Sequence, residues 1–255
     1  YEHLADITGA RVTYAFGRVG GVARDVPEGW FDRLEVILDQ YEDFTGRVQD
    51  LVGRNRIFID RTRDVGVLST AEALDWGFTG PMLRSTGAKR DLRKDTPYLA
   101  YAELEFDVPV GIKGDNYDRY YVRMREMDES VHMIRQLVEL LNATPGPVCV
   151  DDNRCTLPPK ERVYSEIEAL IVHFKLIMEG PQVPAGDVYV AHEAANGELG
   201  FYMVSTGGGT PWKVHVRSPS FVHMGGLHRL LEGYQLADVI PTFGSVNMIG
   251  GECDR

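Results

Sequence analysis

Cysteine is scarce in this sequence. Cys149, Cys155 and Cys253 are three in number, so they cannot all pair with one another, and none belongs to a Cys-x-x-Cys. That excludes a disulfide-stapled scaffold and fits a reducing compartment. Long apolar runs are lacking too: no stretch approaches the ~18 uncharged apolar residues of a membrane-spanning helix, and no secretory leader is read. Any membrane connection is therefore expected through a partner. Basic charge is in deficit, with 27 Lys and Arg against 38 Asp and Glu and a net charge of −11. A nucleic-acid binder needs the opposite balance, so nucleic acid is not an expected partner. There is no His-Glu-x-x-His, no Gly-x-Ser-x-Gly, no internal repeat and no low-complexity tract.

What remains is an ordinary globular composition, 44% apolar and 25% charged over 255 residues, enough for a real core. The chain opens on Tyr1, and "YEHLADITGARVTYAF" reads as the middle of a helix, so a truncated start is expected. Phe31, Leu34, Ile37, Leu38, Tyr41, Phe44, Val48 and Leu51 recur every three or four residues, predicting a long amphipathic helix that buries one stripe. "NRIFIDRTRD" adds a shorter helical piece. "STAEALDWG" predicts a short helix capped by Ser69 or Thr70, with Gly77 at a left-handed stop.

"AELEFDVPVG" alternates as a short strand. Tyr120, Met124, Met127, Val131, Ile134, Val138 and Leu141 form a heptad-like seam, with Arg123, Arg125, Glu126, Asp128 and Glu129 facing away and the methionines filling core. After a Pro-rich linker, Val163, Ile167, Leu170, Ile171, Phe174 and Ile177 lie on one face of a second helix. "DVYVAHEA", "GELGFYMVST" and "PWKVHVRS" predict a three-stranded antiparallel meander from Asp187 to Ser218 with one face buried. The closing "LHRLLEGYQLADVIPTFGSV" is helical and broken at Pro241.

The residues alone assign little chemistry. "RSTGAKRDLRKDTPY" gathers Arg84, Lys89, Arg90, Arg93 and Lys94, with Arg63 upstream, and reads first as a solvated loop, second as an anion or partner site. His223 and His228 miss the same-face spacing of a zinc helix, His132 and His173 neighbour apolar seams, and His215 falls on a polar strand face. "STGGGTP" lacks a Gly-Lys-Ser/Thr ending and reads as a hairpin turn. The interval between Cys149 and Cys155 suits neither a zinc knuckle nor an iron–sulfur run. The reading at this level is a soluble α+β protein with no self-contained active site.

Six stretches in fixed order carry a resemblance: "GARVTYAFGRVGGVARDVP", "GVLSTAEALDWGFTGPMLRSTGAKRDLRKDTPY", "EFDVPVGIKGDNYDRYYVRMREMDES", "SEIEALIVHFKLIMEG", "GELGFYMVSTGGGTPWKVHVRSPSFVHM" and "LADVIPTFGSVNMIGGECDR". Together, from Gly9 to Arg255, they resemble the D-type, or 49-kDa, family of respiratory complex I subunits, related to the large subunit of nickel–iron hydrogenases. The resemblance implies an α+β, mostly helical hydrogenase-large-subunit-like fold. It implies one domain over 1–255, helical over 1–180, with a small meander over 187–218 and a C-terminal quinone-chamber segment over 236–255.

It further implies a quinone-site subunit of a proton-translocating NADH:quinone oxidoreductase, peripheral on the cytoplasmic or matrix face of the energy-converting membrane. The implied partners are the subunit holding the terminal 4Fe–4S cluster, a C-type peripheral-arm subunit and membrane-arm subunits. Quinone is the substrate, and no cofactor is bound by this chain. A ferredoxin- or F420-driven relative and a non-catalytic scaffold derived from the family are the alternative expectations.

The family's best-known quinone contacts lie in an N-terminal part that this sequence does not include. No catalytic residue is therefore carried over, and the chain alone is expected to be inactive. The family usually ends Gly-Glu-Val-Asp-Arg, so Glu252, Asp254 and Arg255 match while Cys253 replaces valine, and Asn247 stands where many relatives have Asp. The expected chamber lining is Asn247, Met248, Cys253, Asp254 and Arg255, with Cys253 acting as a small apolar side chain and not as a metal ligand. Thr13 stands near the terminal cluster where many relatives carry a titratable His. That exchange implies a cluster potential with weak pH dependence.

Overall fold

A computed structural model describes residues 1–254, so Arg255, one of the expected lining residues, lies outside the described residues. The chain divides into two compact units. The first comprises Tyr1–Ile37, Val138–Val188 and Tyr202–His215, and the second comprises Leu38–Leu137, Tyr189–Phe201 and the chain from Val216 onward. The fold is α+β and largely helical, with one two-stranded and one three-stranded sheet. Among the described residues no helix is long and apolar enough to cross a membrane.

In the first unit, helix α1 (Glu2–Thr8) stops at Gly9, which takes the left-handed conformation at φ 79°. The expected helix over the first sixteen residues is thus cut short by a glycine C-cap. Trp30 stacks on His3 at 4.1 Å and donates its indole N–H to the His3 carbonyl at 3.1 Å. Strands β1 (Gly17–Arg18) and β2 (Gly21–Val22) form a small antiparallel hairpin, and Gly21 pairs with Cys149.

The second helix predicted after the Pro-rich linker is two helices, α8 (Lys160–Ser165) and α9 (Ile167–Met178), because Glu166 between them is extended at φ −122°, ψ 124°. Ile167, Leu170, Ile171, Phe174 and Ile177 do share an α9 face, yet all five are exposed in the described chain.

Helix α2 (Trp30–Val48) forms where the periodicity places it, but of its predicted stripe only Leu38 is buried, while Ile37, Tyr41 and Phe44 stay exposed. In the second unit, α3 (Arg56–Thr62) starts on Asn55, whose side chain accepts from the N–H groups of Ile57 and Phe58. Helix α4 (Thr70–Asp75) starts on a full capping box in which Ser69 and Glu72 satisfy each other's backbone N–H groups. Gly77 follows at φ 71°, as its position predicts.

Helices α5 (Gly80–Arg84) and α6 (Leu92–Asp95) then lead to the 28-residue α7 (Asn116–Ala143). The α7 seam is buried at Met124, Val131 and Val138 and emerges at Leu141. Strands β3 (Gly186–Ala194), β4 (Gly197–Ser205) and β5 (Lys213–Arg217) form the expected meander in that order, although the outer parts of β3 and β5 are exposed. The chain ends with α10 (Pro219–Gly225), α11 (Leu227–Leu231), α12 (Val239–Val246) and α13 (Gly250–Cys253). Pro241 does not break α12. It occupies the first turn, where a missing N–H removes no helical bond.

The core of the second unit gathers Leu68, Ala73, Phe78, Met82, Leu83, Leu230 and Val246, so α12 is tied to α4 and α5 by apolar burial. A satellite cluster joins Leu104, Phe106 and Val108 to Met133. The alternation read at "AELEFDVPVG" is therefore real, but the segment is no strand. Among the described residues no strand pairs with it, and α7 side chains take that place: Gln136 accepts from the Glu105 N–H and donates to the Glu105 carbonyl, and Glu129 accepts from the Asp107 N–H. Extended backbone is thus satisfied by a helix's side chains.

Candidate functional site

The basic stretch expected as a solvated loop is instead partly interior. Arg84, the last residue of α5, is 1% exposed. The start of α5 fixes its position. Gly80 has φ 63°, and a Cβ there would meet the backbone of Asn196 and Gly197 at the β3–β4 turn, so the helix start and the hairpin approach as bare backbone. One turn later Arg84 donates from Nε to Glu126 Oε1 at 2.6 Å and from a terminal nitrogen to Glu193 Oε1 at 2.7 Å. It also reaches the Arg90 carbonyl at 3.0 Å.

The loop then closes on itself. Asp91 caps α6 by accepting from the Arg93 N–H and holds the Arg93 guanidinium with both carboxylate oxygens. Burying a guanidinium is costly unless its charge and donors are matched, and these carboxylates match those of Arg84 and Arg93. Burial alone would weaken the hold of Arg84 on its proton, but Glu126 and Glu193 outweigh it and push its pKa up. Burial likewise pushes Asp91 up, and the hydrogen bond from Arg93 with the charges of Arg84 and Arg93 overcomes it, leaving that carboxyl below its usual range. For Glu126 burial wins over Arg84, and its pKa is raised.

These residues open onto a cavity of about 390 Å³ within the second unit, lined by Arg84, Arg93, Arg123, Glu126, Glu193 and Asn247 among others. Arg123 and Glu126, expected to face away from the apolar seam of α7, line this cavity. Arg123 spends its terminal nitrogens on the Arg119 carbonyl at 3.3 Å and the Val246 carbonyl at 3.2 Å, and its buried Nε has no partner among the described residues. Among the described residues no carboxylate forms an ion pair with it, and burial lowers its pKa to about 10, so it stays a cation at neutral pH. One turn earlier Arg119, fully buried, donates to Ser245 Oγ and to the Gly66 and Gly114 carbonyls. Two cations thus hold the C-terminal end of α12, where the helix dipole favours them.

Asn247 comes next, left-handed at φ 56°. Its amide donates to Asn196 Oδ1 at 2.9 Å, and its carbonyl accepts from Asn196 Nδ2 at 2.8 Å. Fully buried Ser220 accepts from the Ile249 N–H, and Glu252 accepts from the Ser220 N–H. Of the five expected lining residues, the cavity brings in Asn247. Met248 and Cys253 are half-buried and Asp254 is exposed, and none of the three lines it. Thr13 belongs to the first unit, exposed and left-handed at φ 57°, with its hydroxyl donating to the Val12 carbonyl.

Sequence reasoning missed Asn196, Ser220 and His223. The "NG" pair marked a turn correctly but gave no sign that its asparagine clamps a segment fifty residues away. His223 is fully buried: Nε2 accepts from the Thr79 N–H, Nδ1 is unpartnered, and burial followed by the charge of Arg217 lowers its pKa to about 3. His132, expected at an apolar seam, is exposed; His215 is exposed as its strand register predicts. All three cysteines are unpaired thiols, and among the described residues no group of three or more His, Cys, Asp or Glu is arranged to hold a metal ion.

The sequence is 66% identical over its whole length to a protein of Pelobacter propionicus named as the D-type subunit of an NADH-quinone oxidoreductase, covering 63% of that protein. It is 51% identical to a protein of the same name from Myxococcus xanthus and 44% identical to one from Methylacidiphilum infernorum, again over the whole chain and covering 61% and 60% of them. The chain thus spans about three-fifths of the length of these curated relatives. The family model for the 49-kDa subunit of the respiratory-chain NADH dehydrogenase matches residues 1–255, and the chain belongs to that family.

Proposed function

We propose that this chain is part of the quinone-site subunit of an NADH:quinone oxidoreductase, and that the cavity beside Asn247 is its contribution to the quinone site. Relatives named as the D-type subunit of such an enzyme support the reading at the level of the whole protein. The observation that carries it at the level of residues is the cavity. Buried guanidinium groups and carboxylates converge there with the C-terminal segment that the family resemblance places beside the quinone chamber.

In this reading a neighbouring subunit's 4Fe–4S cluster supplies electrons, and quinone reduction is coupled to proton translocation in the membrane arm. This chain's residues supply position and charge. Arg84 and Arg93 hold their carboxylates in fixed geometry, while Arg123 leaves a positive charge facing the space where an oxygen gains electron density. The subunit sits peripherally against the membrane arm and binds the neighbours that the resemblance implies.

The test is quinone reduction by the native membrane complex containing the full-length subunit, with NADH and reduced ferredoxin offered separately and a quinone-site inhibitor as control. Inhibitor-sensitive reduction with NADH is the expected result. Activity with reduced ferredoxin alone would move the chain to a different donor class, and no activity with either would overturn the reading.

A further inference from the structure

Three carboxylates lie within ion-pair distance of the buried guanidinium of Arg84, and they are not equivalent. Glu193 spends both oxygens: Oε1 on Arg84, and Oε2 on the Leu92 N–H at 3.2 Å. Asp91, at 3.6 Å from Arg84, is committed to Arg93 through both of its oxygens. Glu126 accepts one bond from Arg84, through Oε1, and its side chain is 15% exposed toward the cavity where those of Asp91 and Glu193 are 0% and 5%.

The charges around Glu126 come from every packed element. Arg84 ends α5, Asp91 and Arg93 belong to α6 and its cap, Arg123 lies three residues back on α7, and Glu193 comes from β3. With all six groups ionised, three positive charges balance three negative ones. A negative charge entering the cavity upsets that balance, and adding a proton to the least committed carboxyl restores it.

We infer that Glu126 is the proton-exchanging carboxyl of this cavity, and that it delivers a proton to a quinone oxygen as electrons arrive there. The inference rests on the proposed quinone-site role. In the step, the quinone is reduced by an iron–sulfur cluster, the Glu126 O–H bond breaks, and the proton forms a new O–H bond on the quinone oxygen. The carboxylate left behind is held by Arg84 Nε and regains its proton from water. Each of the two protons of quinol formation accompanies one of the two electrons. The raised pKa of Glu126, caused by burial that Arg84 does not fully offset, is consistent with this role.

The substitution Glu126→Gln keeps an acceptor for Arg84 but cannot carry a proton. Introduced into the full-length subunit of the native complex, it is expected to lower inhibitor-sensitive quinone reduction about 10²-fold with KM little changed. Wild-type turnover should fall as pH rises through the titration of the carboxyl, and the variant should lose that dependence. Glu126→Asp should retain it. A wild-type pH profile preserved in E126Q, in a complex whose wild-type form shows inhibitor-sensitive activity, overturns the inference alone. Absence of that activity in the wild type overturns the quinone reading first and this one with it. If neither variant assembles, reduced-minus-oxidised infrared spectra of the wild-type complex carrying isotope-labelled glutamate decide. No glutamate carboxyl band changing on quinone reduction would overturn the inference.

Discussion

Two stretches of this molecule invert each other's polarity. Between Arg84 and Glu126 the chain takes charge inside, and along α9 it leaves an apolar helix face outside: Arg84 is 1% exposed and Phe174 is 60% exposed. Composition predicts the reverse for both. Burial is decided by whether a group finds its partners, and in the first stretch they arrive from α6, α7 and β3. A charge-rich segment goes inside when its guanidinium groups meet carboxylates, as Arg84 and Arg93 do, or carbonyl and hydroxyl oxygens, as Arg119 and Arg123 do. An apolar face on which none of the described residues packs stays exposed, however periodic it is.

The largest way to break this comparison is to remove the shared cation. Arg84→Leu leaves Glu126 and Glu193 without their guanidinium, and unfolding of the full-length subunit should show a loss of ~3–5 kcal/mol. A loss under ~1 kcal/mol would mean that solvent already compensates these carboxylates.

A second prediction concerns His223 and pH. Its folded pKa, about 3, lies below the unfolded value near 6.5, so the unfolded chain binds the extra proton between those limits. Stability from this group is complete above the unfolded pKa and is lost as pH falls toward 3, by an amount on the order of 4 kcal/mol. His223→Gln keeps an acceptor for the Thr79 N–H and should flatten that part of the stability–pH curve. An unchanged slope would show that the buried imidazole does not govern it.

A smaller effect is expected where α5 begins, at the edge of the site. Gly80→Ala places a Cβ against the β3–β4 turn at a positive φ, and a loss of roughly 1–3 kcal/mol should appear in the same unfolding experiment. The smallest lies on the other side of the comparison. Phe174→Ser on the exposed α9 face should stay within about 0.5 kcal/mol for the isolated chain.

Local rules made much of the fold legible. Ser69 with Glu72 announces α4, the heptad-like apolar spacing announces α7, and the alternation of Trp212, Val214 and Val216 with an "NG" turn upstream announces the meander. Of the cavity's lining, the sequence pointed to Asn247 through resemblance and to Arg84 and Arg93 as the second reading of a basic stretch. The remainder depends on contacts between residues far apart in the chain. Arg84 reads as solvated because Glu126 lies 42 positions and Glu193 109 positions away. His223 reads as ordinary because the N–H it accepts from is 144 positions distant. The segment around Phe106 reads as a strand because burial alternates along it, and nothing in its own residues shows that α7 replaces a neighbouring strand.

The most direct test of the quinone assignment is photolabelling of the native complex with an azido-quinone, followed by peptide mapping of the full-length subunit. Met127 lines the cavity together with Asn247, and labelled peptides containing either, suppressed by a quinone-site inhibitor, are the predicted result. Inhibitor-suppressed labelling of the complex that spares both peptides would contradict the placement of the quinone site at this cavity.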